Sequence, residues 1–260
     1  MTAIPYLPNE LTKLLHGATH EIVAMGDTAD EVFRFKKDNE IYFLKTGAIT
    51  SEAYRERDML LWLQDKLPAP NVLHWQETSD KFYQLTSSAK GTMACTERGL
   101  SASEDDVVAA LADGLLQFQR VDISECPIVN TLEQKLEAAL YNIHHDLVDM
   151  DDFAYSCSGR FDTPMELYDY LVKNKPEEGL CLTHGDFCLP NIFIKDRKAV
   201  GFIDMGRGGV ADMYQDIALC VRSLHYNTFE RGDKNLLFKH LGIEPDWGKI
   251  DYYILLDELF

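Results

Sequence analysis

The 260-residue sequence predicts a two-lobed α+β fold, with a small β-rich N-terminal lobe over residues 1–88 and a larger, mostly helical C-terminal lobe over residues 89–260. Three observations predict it. Strand-like segments with alternating apolar residues dominate the stretch from Glu31 to Thr86. Helix-length segments with apolar residues three and four apart dominate the chain from residue 103 onward. Between the two lies the small-residue run Ser87-Ser88-Ala89-Lys90-Gly91, a composition suited to a joint between two packed units with a cleft between them.

In chain order, Val32-Phe33-Arg34-Phe35 and Ile41-Tyr42-Phe43-Leu44-Lys45 flank Asp38-Asn39, which predicts a hairpin with those two residues in its turn. A helix is expected from Ser51 or Glu52 to Leu67, stopped by Pro68 and Pro70. Strands come next at Val72–Trp75 and Phe82–Thr86. Beyond the joint, helices are expected at Ser103–Arg120, Thr131–Asp146, Thr163–Lys173 and Asp212–Ser223. A second hairpin, Asn191–Lys195 with Ala199–Asp204, interrupts them around the turn Asp196-Arg197-Lys198. No internal repeat or low-complexity tract stands out.

Composition narrows the function classes. Hydrophobic residues make up 46%, which is ordinary for a chain that buries a core. The formal charge of −18 repels nucleic acid and anionic membranes and attracts cations such as polyamines or amino sugars. Six cysteines without a C-x-x-C pair fit neither a disulfide scaffold nor a zinc site, so reduced cytoplasmic thiols are expected. The first ten residues lack the basic-then-apolar pattern of a signal peptide, and no apolar run is long enough to span a membrane.

Chemistry concentrates between Leu182 and Arg207. Asp186 follows His-Gly, Asn191 stands five residues later before an apolar run, and Asp204 ends the next apolar run before Met-Gly. Pairing the two runs brings Asn191 and Asp204 to one end of the hairpin beside Asp186. Protein-kinase-like enzymes use this spacing for a base, one metal ligand, and the second metal ligand in phosphoryl transfer. The more general reading of each residue alone is a turn residue or helix cap, and it is the joint spacing that favours catalysis.

Two charges in the first lobe fit the same chemistry. Ile41, Phe43 and Lys45 share one strand face, with Lys45 at its end, so an ammonium continues an apolar face. Glu56, Leu60, Leu63 and Leu67 recur at 4-3-4 spacing, so a carboxylate continues an apolar stripe. Each is excused by the other, with Lys45 left to reach nucleotide phosphates. The alternative has Lys45 snorkelling to water and Glu56 paired with Arg55 or Arg57. The segment Met25-Gly26-Asp27-Thr28 holds a single glycine and is weak as a phosphate loop, although its backbone N–H groups and the Thr28 hydroxyl could serve.

Longer motifs carry a family resemblance over nearly the whole chain. R-E-R-D-M-L-L-W-L at 55–63, H-G-D-F-C-L-P-N at 184–191, F-I-D-M-G-R-G-G-V-A-D at 202–212 and the final D-W-G-K-I-D-Y-Y-I-L-L-D-E-L-F at 246–260 resemble the aminoglycoside 3′-phosphotransferases, the antibiotic-resistance kinases. The resemblance implies transfer of the γ-phosphate of ATP, with Mg²⁺, to the 3′-hydroxyl of 2-deoxystreptamine aminoglycosides such as kanamycin or neomycin. It implies Asp186 as the base, Asn191 and Asp204 as Mg²⁺ ligands, and Lys45 with Glu56 as the phosphate-binding pair. Thr28 matches a phosphate-loop serine, Ser87 to Ala89 the hinge that meets adenine, and Asp216 a buried aspartate bracing the catalytic loop. Asn130, Arg207, Arg222, Asp257, Glu258 and the Phe260 carboxylate match an acidic pocket for the drug's ammonium groups. The chain departs from some relatives at Ser156-Cys157-Ser158 and at Leu189, where they carry acids, which bears on the breadth of drugs accepted. The alternative is another small-molecule kinase of this fold, for choline, a thiosugar or homoserine, and the matching C-terminal tail argues against it. A monomer or homodimer in the cytoplasm is expected.

Overall fold

The computed structural model describes residues 7–23, 30–96, 103–157, 159–226 and 235–260. The N-terminal lobe is an antiparallel sheet in the order β1-β2-β3-β5-β4, formed by β1 (Thr19–Ile22), β2 (Glu31–Lys37), β3 (Glu40–Ala48), β4 (Val72–Glu77) and β5 (Lys81–Ser87). Asp38 and Asn39 join β2 to β3 with φ of 50° and 68°, the left-handed pair that a two-residue hairpin turn requires. Helix α1 (Asn9–Leu14) supplies Leu11 to a small core with Phe33, Phe35, Leu44 and Leu85.

Helix α2 (Ser51–Trp62) belongs to the N-terminal lobe in sequence but not in packing. Thr50 caps it by accepting from the Ala53 N–H, while Met59, Leu60 and Leu63 join the large core of the other lobe. The helix ends at Trp62 and not at Leu67, because Asp65 takes a φ of 64° and turns the chain before the prolines. Leu63 and Leu67 are buried all the same, so the apolar stripe outlasts the helix.

The C-terminal lobe is mostly helical. Its helices are α3 (Glu104–Gln119), α4 (Leu132–His144), α5 (Met150–Cys157), α6 (Pro164–Lys173), α7 (Met213–Tyr226), α8 (Leu236–Leu241) and α9 (Trp247–Asp257). Two small antiparallel sheets sit under the cleft. One is β6 (Thr92–Met93), β8 (Ile192–Lys195) and β9 (Lys198–Phe202) in the order β6-β8-β9. The other pairs β7 (Leu180–Thr183) with β10 (Gly209–Asp212). The β8–β9 turn is shorter than expected: Asp196 and Arg197 alone form it, with φ of 49° and 62°, and Lys198 joins the strand opposite Lys195. A bulge between Phe193 and Ile194 absorbs the change of register. Phe118 of α3 meets Phe202 edge-on at 4.9 Å and Phe187 at 6.2 Å, which seats the segment after β7 on the core.

Candidate active site

The loop between β7 and β8 carries the first cluster. Gly185 has a φ of 85°, and a Cβ there would lie 1.9 Å from the carbonyl oxygen of Arg207, so only glycine lets the two chain segments cross. The Asp216 carboxylate accepts from the backbone N–H of His184 at 2.6 Å and of Gly185 at 2.9 Å. Burial raises Asp216 to about 6, against the pull of His184 and of those two N–H groups. His184 is fully buried; its Nε2 lies 2.9 Å from the Ile203 carbonyl, and its Nδ1 accepts from the Asp186 N–H at 3.3 Å. That ring fixes where the Asp186 backbone leaves the strand.

Asn191 and Asp186 meet directly. The Asn191 amide donates to Asp186 Oδ2 at 2.9 Å, to the Asp186 carbonyl at 3.1 Å and to the Cys188 sulfur at 3.2 Å, leaving the Asn191 side-chain oxygen as its remaining polar atom. Burial, and then the neighbouring Asp186 charge, push the Cys188 thiol far up, so it stays protonated. Asp204 lies beyond the end of β9, which stops at Phe202, and adopts a left-handed φ of 61°. This conformation costs free energy outside glycine and is held by the short turn Met205–Arg207.

Lys45 joins the lobes. It lies inside β3, which runs on to Ala48, and does not end the strand. Its ammonium donates to Glu56 at 2.9 Å and to Asp204 at 3.4 Å, with Asp30 at 3.8 Å. Burial opposes the charge on Lys45, but Glu56, Asp204 and Asp30 outweigh it and hold its pKa above the ordinary value. Arg57, a possible local partner of Glu56, instead bonds Asp58 and stacks over Tyr54 and Trp75. A cleft opens beside this group. Val23, Val32 and Phe43 form its roof, Met93, Phe193 and Ile203 its floor, and Thr86, Ser87 and Ala89 its back wall; Lys45, Glu56, Asn191 and Asp204 close its far end. An apolar slot with charges at one end suits a flat base with a phosphate tail. Thr28 lies outside the described residues.

The expected acidic pocket is present as a cluster but is not an open set of negative charges. Arg207 binds Asp257 at 2.6 Å, and Arg222 binds both Asp257 and Glu258, the latter at 3.1 Å. Two arginines thus offset two carboxylates that stand 35 to 50 residues away in sequence. Asp257 is held below the usual carboxylate range: burial raises it, and Arg207 with Arg222 more than reverse that. The Phe260 ring has the Lys135 ammonium at 5.3 Å and the Arg207 guanidinium at 5.7 Å from its centre. Asn130 donates to the carbonyls of Arg207 and Gly208, both at 3.0 Å, and accepts from Arg55. Sequence reasoning missed Lys135 and offered Arg55 only as a local partner of Glu56, whereas it bonds Asn130. Burial, with Arg207 adding to it, lowers Lys135 to about 8.

Comparison with known proteins identifies the family. Residues 21–253 match the model of the phosphotransferase enzyme family. An aminoglycoside 3′-phosphotransferase of Enterococcus faecalis is 40% identical over 256 residues, covering 96% of this chain and 97% of that one. One from Staphylococcus aureus is 38% identical with the same coverage. The crystal structure of an aminoglycoside-3′-phosphotransferase of type VIII superposes with a TM-score of 0.84 at 25% identity, covering 96% of this chain and 97% of that one. An aminoglycoside phosphotransferase of Streptomyces rimosus in complex with ADP and streptomycin does so with a TM-score of 0.77 at 26% identity, covering 96% and 95%. With a lysine–glutamate pair, two metal-ligand candidates and a carboxylate loop converging on one interlobe cleft, the chain belongs to the phosphotransferase enzyme family and, within it, to the aminoglycoside 3′-phosphotransferases.

Proposed function

We propose that this chain transfers the γ-phosphate of ATP to the 3′-hydroxyl of 2-deoxystreptamine aminoglycosides such as kanamycin and neomycin, with Asp186 as the base that takes the hydroxyl proton. One observation carries the reading: the Asp186 carboxylate bonds Asn191 at the far end of the nucleotide cleft, while its loop crosses the backbone of Arg207, whose side chain holds Asp257. A base there meets the donor phosphate from one side and an acceptor from the other. Lys45, steadied by Glu56, grips the phosphate tail, and the backbone from Ser87 to Ala89 faces the base. The carboxylates of Asp257 and Glu258 receive the acceptor's ammonium groups in exchange for their arginines.

The side chains also suit Mg²⁺. Asp204 and Asn191 offer hard oxygen atoms at the phosphate end of the cleft, and the described residues contain no group of three or more His, Cys, Asp or Glu that could hold a metal by themselves. Asp204 and Asn191 would hold such an ion with help from the nucleotide phosphates. When bound it neutralises phosphate charge. The remaining acceleration comes from alignment of hydroxyl and phosphate by Asp186 and Lys45. A kinase that draws on ATP is expected to work in the cytoplasm, and one chain supplies every residue named. The test is turnover of kanamycin with ATP, the product located by nuclear magnetic resonance, beside a 3′-deoxy aminoglycoside. Phosphorylation of the first and not the second is expected; equal turnover of both refutes the 3′ assignment.

A further inference from the structure

Helix α2 carries two neighbouring residues that serve different sites. Glu56 points to Lys45 in the nucleotide cleft. Arg55, about 100° round the helix and 1.5 Å along it, crosses to the other lobe and donates from Nη2 to the Asn130 side-chain oxygen. Asn130 spends its amide on the carbonyls of Arg207 and Gly208, so its orientation is fixed, and Arg207 in turn holds Asp257. Arg55 has no ion pair among the described residues, and its Nε is buried without a partner. Burial lowers its pKa, and Glu52 opposes that. A half-buried guanidinium with a single good hydrogen bond is an expensive way to fasten a helix. Its partner, moreover, is a residue that lines the acceptor pocket.

The packing supplies the element that links the two sites. Met59, Leu60 and Leu63 root α2 in the core of the C-terminal lobe, and the Glu52 side chain rests on Gly206, where a Cβ would come within 2.9 Å. The helix therefore touches the turn after Asp204, the lysine of the sheet and the acceptor pocket at once. We infer that Arg55 is a positioning residue that couples the two sites: a nucleotide that fixes Lys45 and Glu56 fixes α2, which presents Arg55 to Asn130 and orients Arg207 and Asp257 for the acceptor. The coupling is reciprocal, so each ligand tightens the other. This inference rests on the acceptor assignment made above.

Calorimetric titration of kanamycin into the full chain, with and without saturating ADP and Mg²⁺, measures it. The wild type should bind kanamycin about five-fold or more tightly when ADP is present, at the low end of ordinary coupling. Arg55→Leu should bring that ratio below about two while ADP affinity measured alone stays within about two-fold. Arg55→Lys, which keeps a donor of similar reach, should restore part of the ratio, a rescue that loss of structure cannot give. Should Arg55→Leu fail to fold, Arg55→Gln, neutral and too short for the contact, takes its place with the same expected ratio. An unchanged ratio in a folded Leu or Gln variant, or a wild-type ratio of one, overturns the coupling. If the wild type phosphorylates kanamycin while either of those results holds, the coupling alone fails. Absence of kanamycin binding and turnover in the wild type sinks both readings.

Discussion

Replacing Lys45 with Met leaves the Glu56 carboxylate, whose side chain is 9% exposed, without its cation. The other charges acting on it, Asp204 and Glu52, are both negative. Breaking a buried pair from this side costs about 3–5 kcal/mol, because an uncompensated charge remains. The reverse change, Glu56→Gln, is milder: the Lys45 side chain is 20% exposed and its ammonium keeps Asp204 at 3.4 Å and Asp30 at 3.8 Å. It should cost about 1.5–3 kcal/mol, the value of a hydrogen bond to a charged group. The double variant buries neither charge and should be more stable than Lys45→Met alone. The asymmetry carries a pH dependence. Burial already raises the Glu56 carboxyl, and loss of Lys45 raises it further above its unfolded value. A group raised in the folded state contributes its full stability below the unfolded pKa and loses it as pH climbs through the folded one, at up to ~1.4 kcal/mol per pH unit. Urea unfolding at pH 5.5 and 7.5 for the four proteins reads all of this. Lys45→Met should be markedly less stable relative to wild type at the higher pH, and Glu56→Gln should show no such trend. Equal costs for the two single variants, or a pH-independent cost for Lys45→Met, would refute the reasoning.

Asp186→Ala should lower turnover by about 10²-fold or more while ADP affinity stays near wild type, since a lost base costs at least that much. Rapid-quench turnover and calorimetry together check it, and a tenth of wild-type activity retained would count against Asp186 as the base. Asp204→Asn should weaken ADP binding in the presence of Mg²⁺ and reduce the advantage that Mg²⁺ confers; an identical Mg²⁺ titration in both proteins contradicts its role as a ligand. Asp257→Asn exposes the charges of Arg207 and Arg222 to an incoming polycation and should raise the kanamycin KM by about ten-fold, the loss of one charge-assisted contact, with the ATP KM within two-fold. Adding 0.5 M salt to the wild type should reproduce part of that rise, because screening weakens the same attraction.

Local chemistry was legible in the sequence wherever a residue's own preference decided the outcome. Asp38-Asn39 was readable as a turn because both tolerate the left-handed region that the hairpin needs. Asp196-Arg197-Lys198 misled by one residue, because Arg197 carries no such marker and yet adopts a φ of 62°. The stripe through Glu56, Leu60, Leu63 and Leu67 reported burial correctly and helix length incorrectly, since the last two side chains reach the core from a turn. The four-residue ribbon β7 with β10 is too short for alternation to show. Pairings across long separations were invisible. Asp257 and Glu258 read as open carboxylates sharing a pocket with Arg207 and Arg222, because nothing in one sequence shows that those arginines pair with them directly. The link from Arg55 to Asn130 was hidden for the same reason: it spans 75 residues and two lobes.

The crossing at Gly185 has a consequence for how such an enzyme can evolve. The segment bearing the base passes the segment after Asp204 with room for a hydrogen atom and nothing larger. Any other amino acid at 185 would push the two apart and misalign base and metal ligand together. That position is closed to drift. Ser156, a hydrogen-bond partner of Glu258 at the acceptor cluster, lies on a separate helix outside this knot. New drug preferences can therefore accumulate on that side one residue at a time, while the machinery that moves phosphate is inherited intact.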